Sequence, residues 1–324
     1  MAVNRVLVTG GGGYVGSHVV LALLDAGIEA AVLDNFEAGY RDAVATDQVV
    51  EGDVRDEDAV EQAFGLGPFD AVVHCAALPN IPESFANPAK CYGVNLTGGL
   101  NLLAAALRHE TGAFVFSSSA AVYGPPDCTP IPEDHPHRPI SPYGFTKSAF
   151  ERILADFAAA YPLRSISLRY FNAAGADLAG RAGERHDPES HLIPIVLKHL
   201  AGKRDQVYVF GTDYPTDDGS CVRDYIHIND LAEAHILAVQ ALARGAETTE
   251  LNLGVGRGYS VREVIAAAER VTGIEANVVE TDRREGDPPV LVADPGRALE
   301  VLGWEPRHSA LDTIIESAWK WETR

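Results

Sequence analysis

Short apolar runs alternate with longer stretches of helical periodicity through the first half of the chain. The apolar runs are RVLVTG, EAAVLD, VVEGD, DAVVHCA, AFVFSSS and SISLRYF. Strands that alternate with helices of ten or more residues require crossover connections, and they form a parallel sheet that is buried on both faces. We therefore predict an α/β fold with a doubly wound, Rossmann-type parallel sheet over residues 1–172.

The composition of the chain changes after Asn172. Stretches rich in Gly, Pro, Asp and Arg, such as AAGADLAGRAGERHDPES and GTDYPTDDGSCVRDY, separate shorter elements. Connections of this length inside a compact chain usually carry function. We expect residues 173–324 to form a smaller, partly discontinuous C-terminal domain that binds the substrate. Part of residues 224–254, including TELNLG, is expected to return to the first sheet.

Charge and cysteine content narrow the classes of partner and compartment. The 324 residues carry a formal net charge of −20, so we expect no nucleic-acid partner, and an anionic small ligand must be held by local arginines and backbone N–H groups. The cysteines are scattered and form no C-x-x-C motif, which indicates reduced thiols in a cytoplasm. No run of 18 apolar residues is present, so we expect no membrane partner.

Two histidines, His135 and His137, lie in the Pro-rich segment PEDHPHRP. A structural or catalytic zinc site needs at least a third protein ligand, and none is placed beside them by the sequence. We therefore expect no metal site in this protein.

The N-terminal segment RVLVTGGGGYVGSHVVLALLDAG is a strand, a glycine loop and an amphipathic helix. Gly11, Gly13 and Gly16 satisfy the G-x-G-x-x-G dinucleotide fingerprint, and Gly10 adds the wider-spaced variant. The glycines let the backbone approach a pyrophosphate at the helix N-terminus, where N–H groups favour negative charge. Asp34 ends the second strand, where its carboxylate accepts from ribose hydroxyls and repels a 2′-phosphate. These features predict NAD rather than NADP.

Proton-transfer chemistry is suggested by SPYGFTKSAF. Ser141 is a favoured N-cap and Pro142 suits the first helical turn, so Tyr143 and Lys147 share one face of a helix. This spacing often arises by chance. Ser119 ends the strand AFVFSSS at the carboxyl edge of the sheet, where ligands of such folds bind, but Ser117 and Ser118 are equally available there.

The segments TGGGGYVGSH, GDVRD, FSSSAAVYG, SPYGFTKSAFE, LRYFNAAGAD, HLIPIVL, FGTDYPTDDGSCVRDYIHINDLA and RREGDPP extend these observations over nearly the whole chain. With them the chain resembles the extended short-chain dehydrogenase/reductase family, and within it the nucleotide-sugar 4-epimerases. The resemblance implies a tightly bound NAD and a UDP-sugar substrate. It also implies an isomerase that inverts C4 of a UDP-hexose, UDP-glucose or UDP-galactose, through a transient 4-keto intermediate.

The same resemblance implies the roles of individual residues. Tyr143 corresponds to the catalytic base, Lys147 to its partner, and Ser119 to the hydroxyl that contacts substrate and tyrosine. A phenol with a pKa near 10 needs roughly 4 kcal/mol of anion stabilisation to act at pH 7, and Lys147 and the positive nicotinamide ring are the expected sources. The implied cofactor-binding residues are Gly10, Gly13, Tyr14, Val15, Gly16, Asp34, Asn35, Asp53, Val54, Ala76, Ala77, Asn95, Ser117, Tyr143, Lys147 and Tyr170. The implied substrate-binding residues are Ser119, Tyr143, Asn172, His191, Leu192, Tyr208, Phe210, Arg223, Arg284, Asp287 and Leu291.

For three of these residues the sequence itself allows an alternative role. Asp53 could reach the adenine or act only as a turn residue. Arg223 and Arg284 could pair with the neighbouring Asp224 or Glu285 at the surface instead of binding a diphosphate. The resemblance favours the diphosphate role, and it further implies a homodimer formed through a helix around residues 88–108 and the helix that starts at Ser141.

Four positions bear on the expected reaction, the cofactor contacts and the expected sugar. Ala120 and Ala121 follow Ser119 where related dehydratases have an acidic residue, which favours epimerisation. Pro79 replaces a lysine that several relatives have near the cofactor phosphate. Leu291 replaces a bulky tyrosine of some relatives, so we expect room for N-acetyl groups. The alternatives are a 4-epimerase of UDP-N-acetylhexosamine, UDP-glucuronate or a UDP-pentose, or a non-catalytic NAD-binding regulator.

Overall fold

The computed structural model describes residues 2–284 and 286–324, so Glu285 lies outside the described residues. The N-terminal elements are β1 (Arg5–Thr9), α1 (Tyr14–Asp25), β2 (Glu29–Asp34), β3 (Val49–Glu51), α2 (Glu57–Phe64), β4 (Ala71–His74), α3 (Ile81–Ala86), α4 (Pro88–Tyr92), α5 (Gly99–Arg108), β5 (Ala113–Ser119), α6 (Pro142–Ala160) and β6 (Arg164–Tyr170). They are followed by β7 (Asn172–Ala174), α7 (Leu192–Leu200), β8 (Val207–Phe210), β9 (Val222–Arg223), β10 (Tyr225–His227), α8 (Ile228–Ala243), β11 (Thr249–Leu253), β12 (Tyr259–Ser260), α9 (Val261–Thr272), β13 (Val278–Thr281), β14 (Val290–Leu291), α10 (Gly296–Leu302) and α11 (Leu311–Glu322). A π-helical segment, Gly93–Gly98, joins α4 to α5.

A seven-stranded sheet forms the centre of the fold, with strand order β11-β6-β5-β4-β1-β2-β3 and all neighbours parallel. Alternate residues of each strand face opposite sides, so Val6 and Val8 pack with α1 and α8 while Leu7 packs with α2, α5 and α6. The predicted doubly wound parallel sheet is confirmed. The segment TELNLG contributes β11, which pairs with β6.

The chain order of the strands reverses between β1 and β4, and ligands of open α/β sheets bind beyond the carboxyl ends of the strands at such a point. Gly10 follows β1 and Ala76 follows β4, and a Cβ added at Gly10 would lie 2.6 Å from the Ala76 nitrogen. The two loops therefore meet at the predicted cofactor site.

Most of the C-terminal part surrounds a separate apolar core. Buried side chains of α7, α9 and α11, such as Val196, Val264 and Ile314, pack together there. Three small sheets accompany this core: β10 with β7, β13 with β8, and the mixed sheet β12-β9-β14. Strands β9 and β14 come from distant segments of the chain. Their pairing brings Arg223 opposite Leu291.

The position of helix α6 is set by its N-terminal cap and by one large buried side chain, Phe150. The Ser141 hydroxyl accepts from the Gly144 N–H at 3.1 Å, as the Ser-Pro pattern predicted. Phe150 is fully buried, with its ring centroid 4.7 Å from that of Phe116 in β5. A Cβ at Gly99 of α5 would lie 2.3 Å from the Phe150 ring, so this contact also sets how closely α5 approaches.

We expect Phe150→Ala to lower the free energy of unfolding by about 3–5 kcal/mol, because it removes a fully buried ring and leaves a cavity between α6 and β5. Urea unfolding followed by circular dichroism measures this change. Tyr161→Ala at the end of the same helix is the control, since that side chain is about half exposed, and it should cost about 1 kcal/mol or less. Equal losses in the two variants would contradict the central place given to Phe150.

Candidate active site

The loop between β1 and α1 has the shape of an anion cradle. Gly10 has φ +74°, in the left-handed region, and a Cβ at Gly16 would lie 2.1 Å from the Gly10 carbonyl oxygen. No side chain caps α1 at Gly13, so N–H groups of its first turn, which begins with Tyr14 and Val15, are available to a negatively charged group.

Asp34 lies beside this loop at the end of β2. Its two oxygens accept from the Gly12 and Phe36 N–H groups, each at 2.8 Å. Burial raises the pKa of this carboxyl, and the two N–H donors oppose the change. Since a carboxylate has about four acceptor positions, two remain for hydroxyl donors of a ribose.

Asp53 is held in a local ion pair. Its carboxylate accepts from Arg55 at 2.8 and 2.7 Å and from the Asn35 side-chain amide at 2.9 Å. Hydrogen bonding from Arg55 lowers the pKa of Asp53 well below its usual value. These contacts favour the turn role over direct recognition of an adenine. Val54, next in the chain, packs under Gly98, where a Cβ would lie 2.4 Å from a Val54 methyl.

Asn95 braces the segment that follows β4, which includes Ala76 and Ala77. Its side-chain oxygen accepts from the Leu78 N–H at 2.7 Å, and its amide donates to the Thr146 hydroxyl of α6 at 2.9 Å. The buried side chain thus connects the cofactor loop to the helix that contains Tyr143 and Lys147.

Lys147 is buried on the sheet side of α6. Its ammonium donates to the Ser117 carbonyl of β5 at 2.7 Å and lies 4.7 Å from the centroid of the Phe116 ring. Burial lowers the pKa of Lys147 to about 8, so the amine is still protonated at neutral pH.

The phenol of Tyr143 lies close to Lys147 and to Ser119. The Lys147 nitrogen is 5.7 Å from the centroid of the tyrosine ring. Burial raises the pKa of Tyr143, and hydrogen bonding with Ser119 opposes this effect. Because the lysine is already bound to a carbonyl, the protein alone does not make the phenol a stronger base. A positive charge bound near the phenol would favour its ionised form and lower this pKa.

Tyr170 ends β6 and turns its hydroxyl toward α8. The hydroxyl hydrogen-bonds His235 Nε2, and His235 Nδ1 lies 2.8 Å from the Leu231 carbonyl. Nδ1 must therefore carry the proton, and the tyrosine donates to Nε2. This bond fixes the tyrosine ring at the carboxyl edge of the sheet.

The predicted substrate residues of β7, β9 and β14 lie close to one another. Asn172 donates to the Asp224 carbonyl at 3.0 Å, and the Arg223 guanidinium lies 3.3 Å from Asp287. Leu291 packs against the buried turn that follows Ser119. The structure thus brings these residues to one side of the Tyr143 region. Arg223 pairs with Asp287 rather than with the neighbouring Asp224.

The Asp224 side chain does not form the surface ion pair that the sequence allowed for it. Its carboxylate is fully buried and accepts from the N–H groups of Val255 (2.8 Å), Gly256 (3.0 Å) and Ala293 (3.1 Å). Burial raises its pKa to about 6, and the three N–H donors oppose this. The side chain therefore ties β9 to the segment that follows β14.

The other predicted substrate residues form two separate groups. The Arg284 guanidinium lies 3.8 Å from the centroid of the Phe210 ring, with Tyr208 beside it. His191 and Leu192 lie at the start of α7, where Leu192 packs on the C-terminal core and the His191 ring contacts Glu184.

One buried ion pair was not anticipated from the sequence. Arg169 of β6 binds both carboxylate oxygens of Glu151 in α6, at 3.0 and 2.8 Å, and both side chains are almost completely buried. Glu151 also accepts from the Ser118 hydroxyl at 2.5 Å. The sequence feature that could have indicated this ion pair is the arginine inside the apolar strand SISLRYF.

Comparison with known proteins identifies the family. A family model described as the NAD dependent epimerase/dehydratase family matches residues 6–254, about three quarters of the chain. The chain belongs to this family.

Similar proteins within the family match almost end to end. The UDP-glucose 4-epimerase of Azospirillum brasilense is 49% identical over 319 residues, which cover 98% of this chain and 92% of that protein. A crystal structure of UDP-glucose 4-epimerase from Brucella ovis in complex with NAD has a TM-score of 0.95 and 46% identity, with 98% of both chains covered. The enzyme from Bifidobacterium longum in complex with NAD+ and UDP has a TM-score of 0.92 and 36% identity, with 99% of this chain and 98% of that chain covered.

We expect Asp224→Asn to lower the free energy of unfolding at pH 7 by about 1–3 kcal/mol, since an amide cannot accept on its nitrogen and leaves a buried N–H without a partner. The folded pKa of about 6 lies above the unfolded value near 3.9, so this carboxyl contributes stability at low pH that is lost as pH rises through 6. The gap between wild type and variant should therefore be larger at pH 4.5 than at pH 7 in urea titrations.

Asp294→Asn is the matched control, because Asp294 is exposed and its side chain accepts from the Gly296 N–H. It should cost less than about 1 kcal/mol. A gap for Asp224→Asn that widens from pH 4.5 to pH 7 would show that the buried carboxyl titrates in the opposite sense.

Proposed function

We propose that this member of the family is an NAD-dependent isomerase that inverts C4 of a UDP-hexose, interconverting UDP-glucose and UDP-galactose. The observation that carries the proposal is the convergence of Tyr143, Lys147 and Ser119 at the carboxyl edge of β5, beside the glycine loop. A binding protein has no need of this set. The UDP-glucose 4-epimerases at 36–49% identity support the choice of substrate.

The residues around the glycine loop fit NAD. Gly10 and Gly16 leave no room for side chains, so the backbone of the first turn of α1 is open to a pyrophosphate. Asp34 is placed to accept from ribose hydroxyls and would repel a 2′-phosphate. When bound at this loop, NAD would supply reversible hydride-transfer chemistry, and its oxidised ring would supply a positive charge near the phenol of Tyr143.

The reaction needs four contributions from the residues of the chain itself. Tyr143 accepts the proton of the 4-hydroxyl as the 4-keto sugar forms and returns it when the alcohol forms again. Lys147, held by the Ser117 carbonyl, keeps a positive charge next to the phenolate, and Ser119 hydrogen-bonds the reacting oxygen. Arg223 and Arg284 hold the diphosphate while the sugar turns to present its other face.

Epimerisation is preferred to dehydration because the residues after Ser119 are apolar. Ala120 and Ala121 form the turn that packs under Leu291, and neither can act as the acid that an elimination requires. A non-catalytic NAD-binding regulator is a weaker alternative, since it would not need a buried lysine beside a tyrosine.

We expect Tyr143→Phe to lower the epimerisation rate of UDP-galactose by about 100- to 10,000-fold, because it removes the base and little else. A coupled assay that detects UDP-glucose measures the rate, and acid denaturation followed by an assay for released NAD checks that the cofactor is still bound. Tyr161→Phe, at an exposed position immediately after the same helix, should have normal activity. Full activity of Tyr143→Phe would remove the assignment of the base.

We infer that the sugar pocket also admits N-acetyl groups, since Leu291 rather than a larger residue packs beside the turn after Ser119. Turnover of UDP-N-acetylgalactosamine by the wild-type protein is expected. Leu291→Tyr should lower kcat/KM for that substrate by at least about tenfold and change kcat/KM for UDP-galactose much less, because the added ring takes up the space of the acetyl group. Turnover of UDP-galactose without any turnover of UDP-N-acetylgalactosamine by wild type would contradict this inference. UDP-glucuronate and a UDP-pentose complete the panel.

We further propose a homodimer and a cytoplasmic location. The homodimer is supported by large exposed apolar side chains on α3 to α6, including Phe85, Tyr92, Leu100 and Phe145, as expected for a face that packs against a second copy. The location is supported by four unpaired cysteines. Within residues 2–284 and 286–324, no helix is both long and apolar enough to cross a membrane.

A further inference from the structure

Four side chains, of which only His191 is among the predicted substrate residues, turn toward one point in the segment between β7 and α7. They are Glu184, His186, Glu189 and His191, spaced as E-x-H-x-x-E-x-H in GERHDPESH. One potential ligand atom from each lies within 4.8 Å of all the others. The closest contacts between the histidines and the glutamates join the Nδ1 nitrogens of the two histidines to the Oε1 oxygens of the two glutamates.

Four of the six distances among these ligand atoms are close to those between ligands of a small tetrahedral ion. His191 Nδ1 lies 2.8 Å from Glu184 Oε1 and 3.4 Å from Glu189 Oε1, and His186 Nδ1 lies 3.2 and 3.6 Å from the same two oxygens. Zinc bonds to imidazole and carboxylate are about 2.0–2.2 Å long, which places tetrahedral ligands about 3.3 Å apart. The four separations lie around this value.

Two of the atoms lack the hydrogen bonds that buried polar groups normally make. Glu184 Oε1 and His186 Nδ1 are both buried without a hydrogen-bond partner, and the Glu184 side chain is only 6% exposed. They lie within contact distance of each other, yet their geometry is not that of donor and acceptor. Atoms that approach a common centre in this way are suited to share a cation.

The surroundings orient the carboxylates toward that centre. Glu189 Oε1 accepts from the N–H groups of Ser190 (2.9 Å) and His191 (3.0 Å), and its other oxygen lies 3.4 Å from the Lys198 ammonium. The backbone carbonyl of Glu184 accepts from the Trp321 indole at 3.2 Å. Outer contacts of this kind commonly position the ligands of metal sites.

We propose that Glu184, His186, Glu189 and His191 bind one zinc ion. Two imidazole nitrogens and two carboxylate oxygens suit zinc, whereas magnesium and calcium prefer sites built only from oxygen. With four protein ligands, the site is structural rather than catalytic. We expected no metal site from His135 and His137, which lie in a different segment of the chain.

The position of the site indicates what the ion does. The His186 ring lies 6.3 Å from the ring of Tyr14, the first residue of α1, and the Tyr14 hydroxyl donates to the Gly175 carbonyl at 2.7 Å. His191 is the N-cap of α7. The zinc ion therefore fastens the loop that joins β7 to α7 next to the start of α1, and it stabilises this junction between the two parts of the molecule.

The competing explanation is a cluster of protonated histidines paired with the two carboxylates. Burial lowers the pKa of His186, but ion pairing with Glu184 and Glu189 outweighs it and raises the pKa to about 9. Zinc must displace these protons, so its binding is a direct test between the two explanations.

The test uses the full-length protein, dialysed against a chelator and then titrated with Zn²⁺ in competition with a chromophoric chelator. We expect one zinc per chain, a higher melting temperature with Zn²⁺ but not with Mg²⁺, and the intense visible absorption of tetrahedral Co²⁺ on cobalt substitution. His186→Gln should weaken zinc binding by more than about 100-fold. His109→Gln is the control, because it removes a histidine paired with Glu61 at 2.8 Å elsewhere on the surface, and it should bind zinc like wild type.

The proposal is overturned if wild type takes up no zinc, if bound Co²⁺ shows only the weak absorption of octahedral coordination, or if His186→Gln binds zinc as wild type does. Glu184→Gln provides a second ligand variant should His186→Gln fail to fold, as judged by circular dichroism. If neither variant folds, the stoichiometry, the cobalt spectrum and the zinc-dependent melting temperature of wild type still decide the question.

Discussion

The burial of two charged residues on one face of α6 is the constraint on which the site depends. Lys147 and Glu151 are one turn apart and almost completely buried, and each finds its partners on the central sheet. The lysine donates to the Ser117 carbonyl, and the glutamate binds Arg169 and the Ser118 hydroxyl. Since a buried charge without a partner costs several kcal/mol, the helix can lie on the sheet only in the register that satisfies both. Tyr143, one turn before Lys147, is thereby placed next to Ser119.

Local contacts must provide the binding of an anionic substrate to this acidic protein. With a formal net charge of −20, the overall field repels a nucleotide sugar, and the favourable contacts must come from a few positions. Arg223 is already paired with Asp287, and Arg284 is stacked on Phe210. Arg223 also donates to the Val222 and Pro288 carbonyls at 2.9 Å, so neighbours hold both guanidinium groups before any ligand binds, and less side-chain entropy would be lost on binding a diphosphate.

The proposed substrate site is assembled from segments that are far apart in the chain. Asn172 follows the last strand of the first half, Arg223 and Leu291 come from paired strands, and the carboxylate of Asp224 holds this pairing through three backbone N–H groups. Tyr14 forms a further link through its bond to Gly175. Small changes in these contacts should therefore alter the position of the sugar relative to the cofactor loop without changing either half of the fold.

The sequence by itself determined the features that depend on short stretches of backbone. The alternating apolar runs predicted the parallel sheet, and the glycine spacing predicted the loop before α1. Ser141 with Pro142 predicted the start of α6. Each of these features results from interactions among neighbouring residues. Asp34 was placed correctly beside the glycine loop for the same reason, since it ends a strand adjacent to β1.

Only the tertiary structure decided the partners of the charged groups. It paired Arg169 with Glu151, buried Asp224 among N–H groups from two other segments, and gathered two histidines and two glutamates at one point. It also showed that burial raises the pKa of Tyr143, whereas the sequence had suggested that Lys147 would lower it. Burial and charge pairing depend on which distant residues come together in space, and that is set by packing of the whole chain rather than by the local pattern.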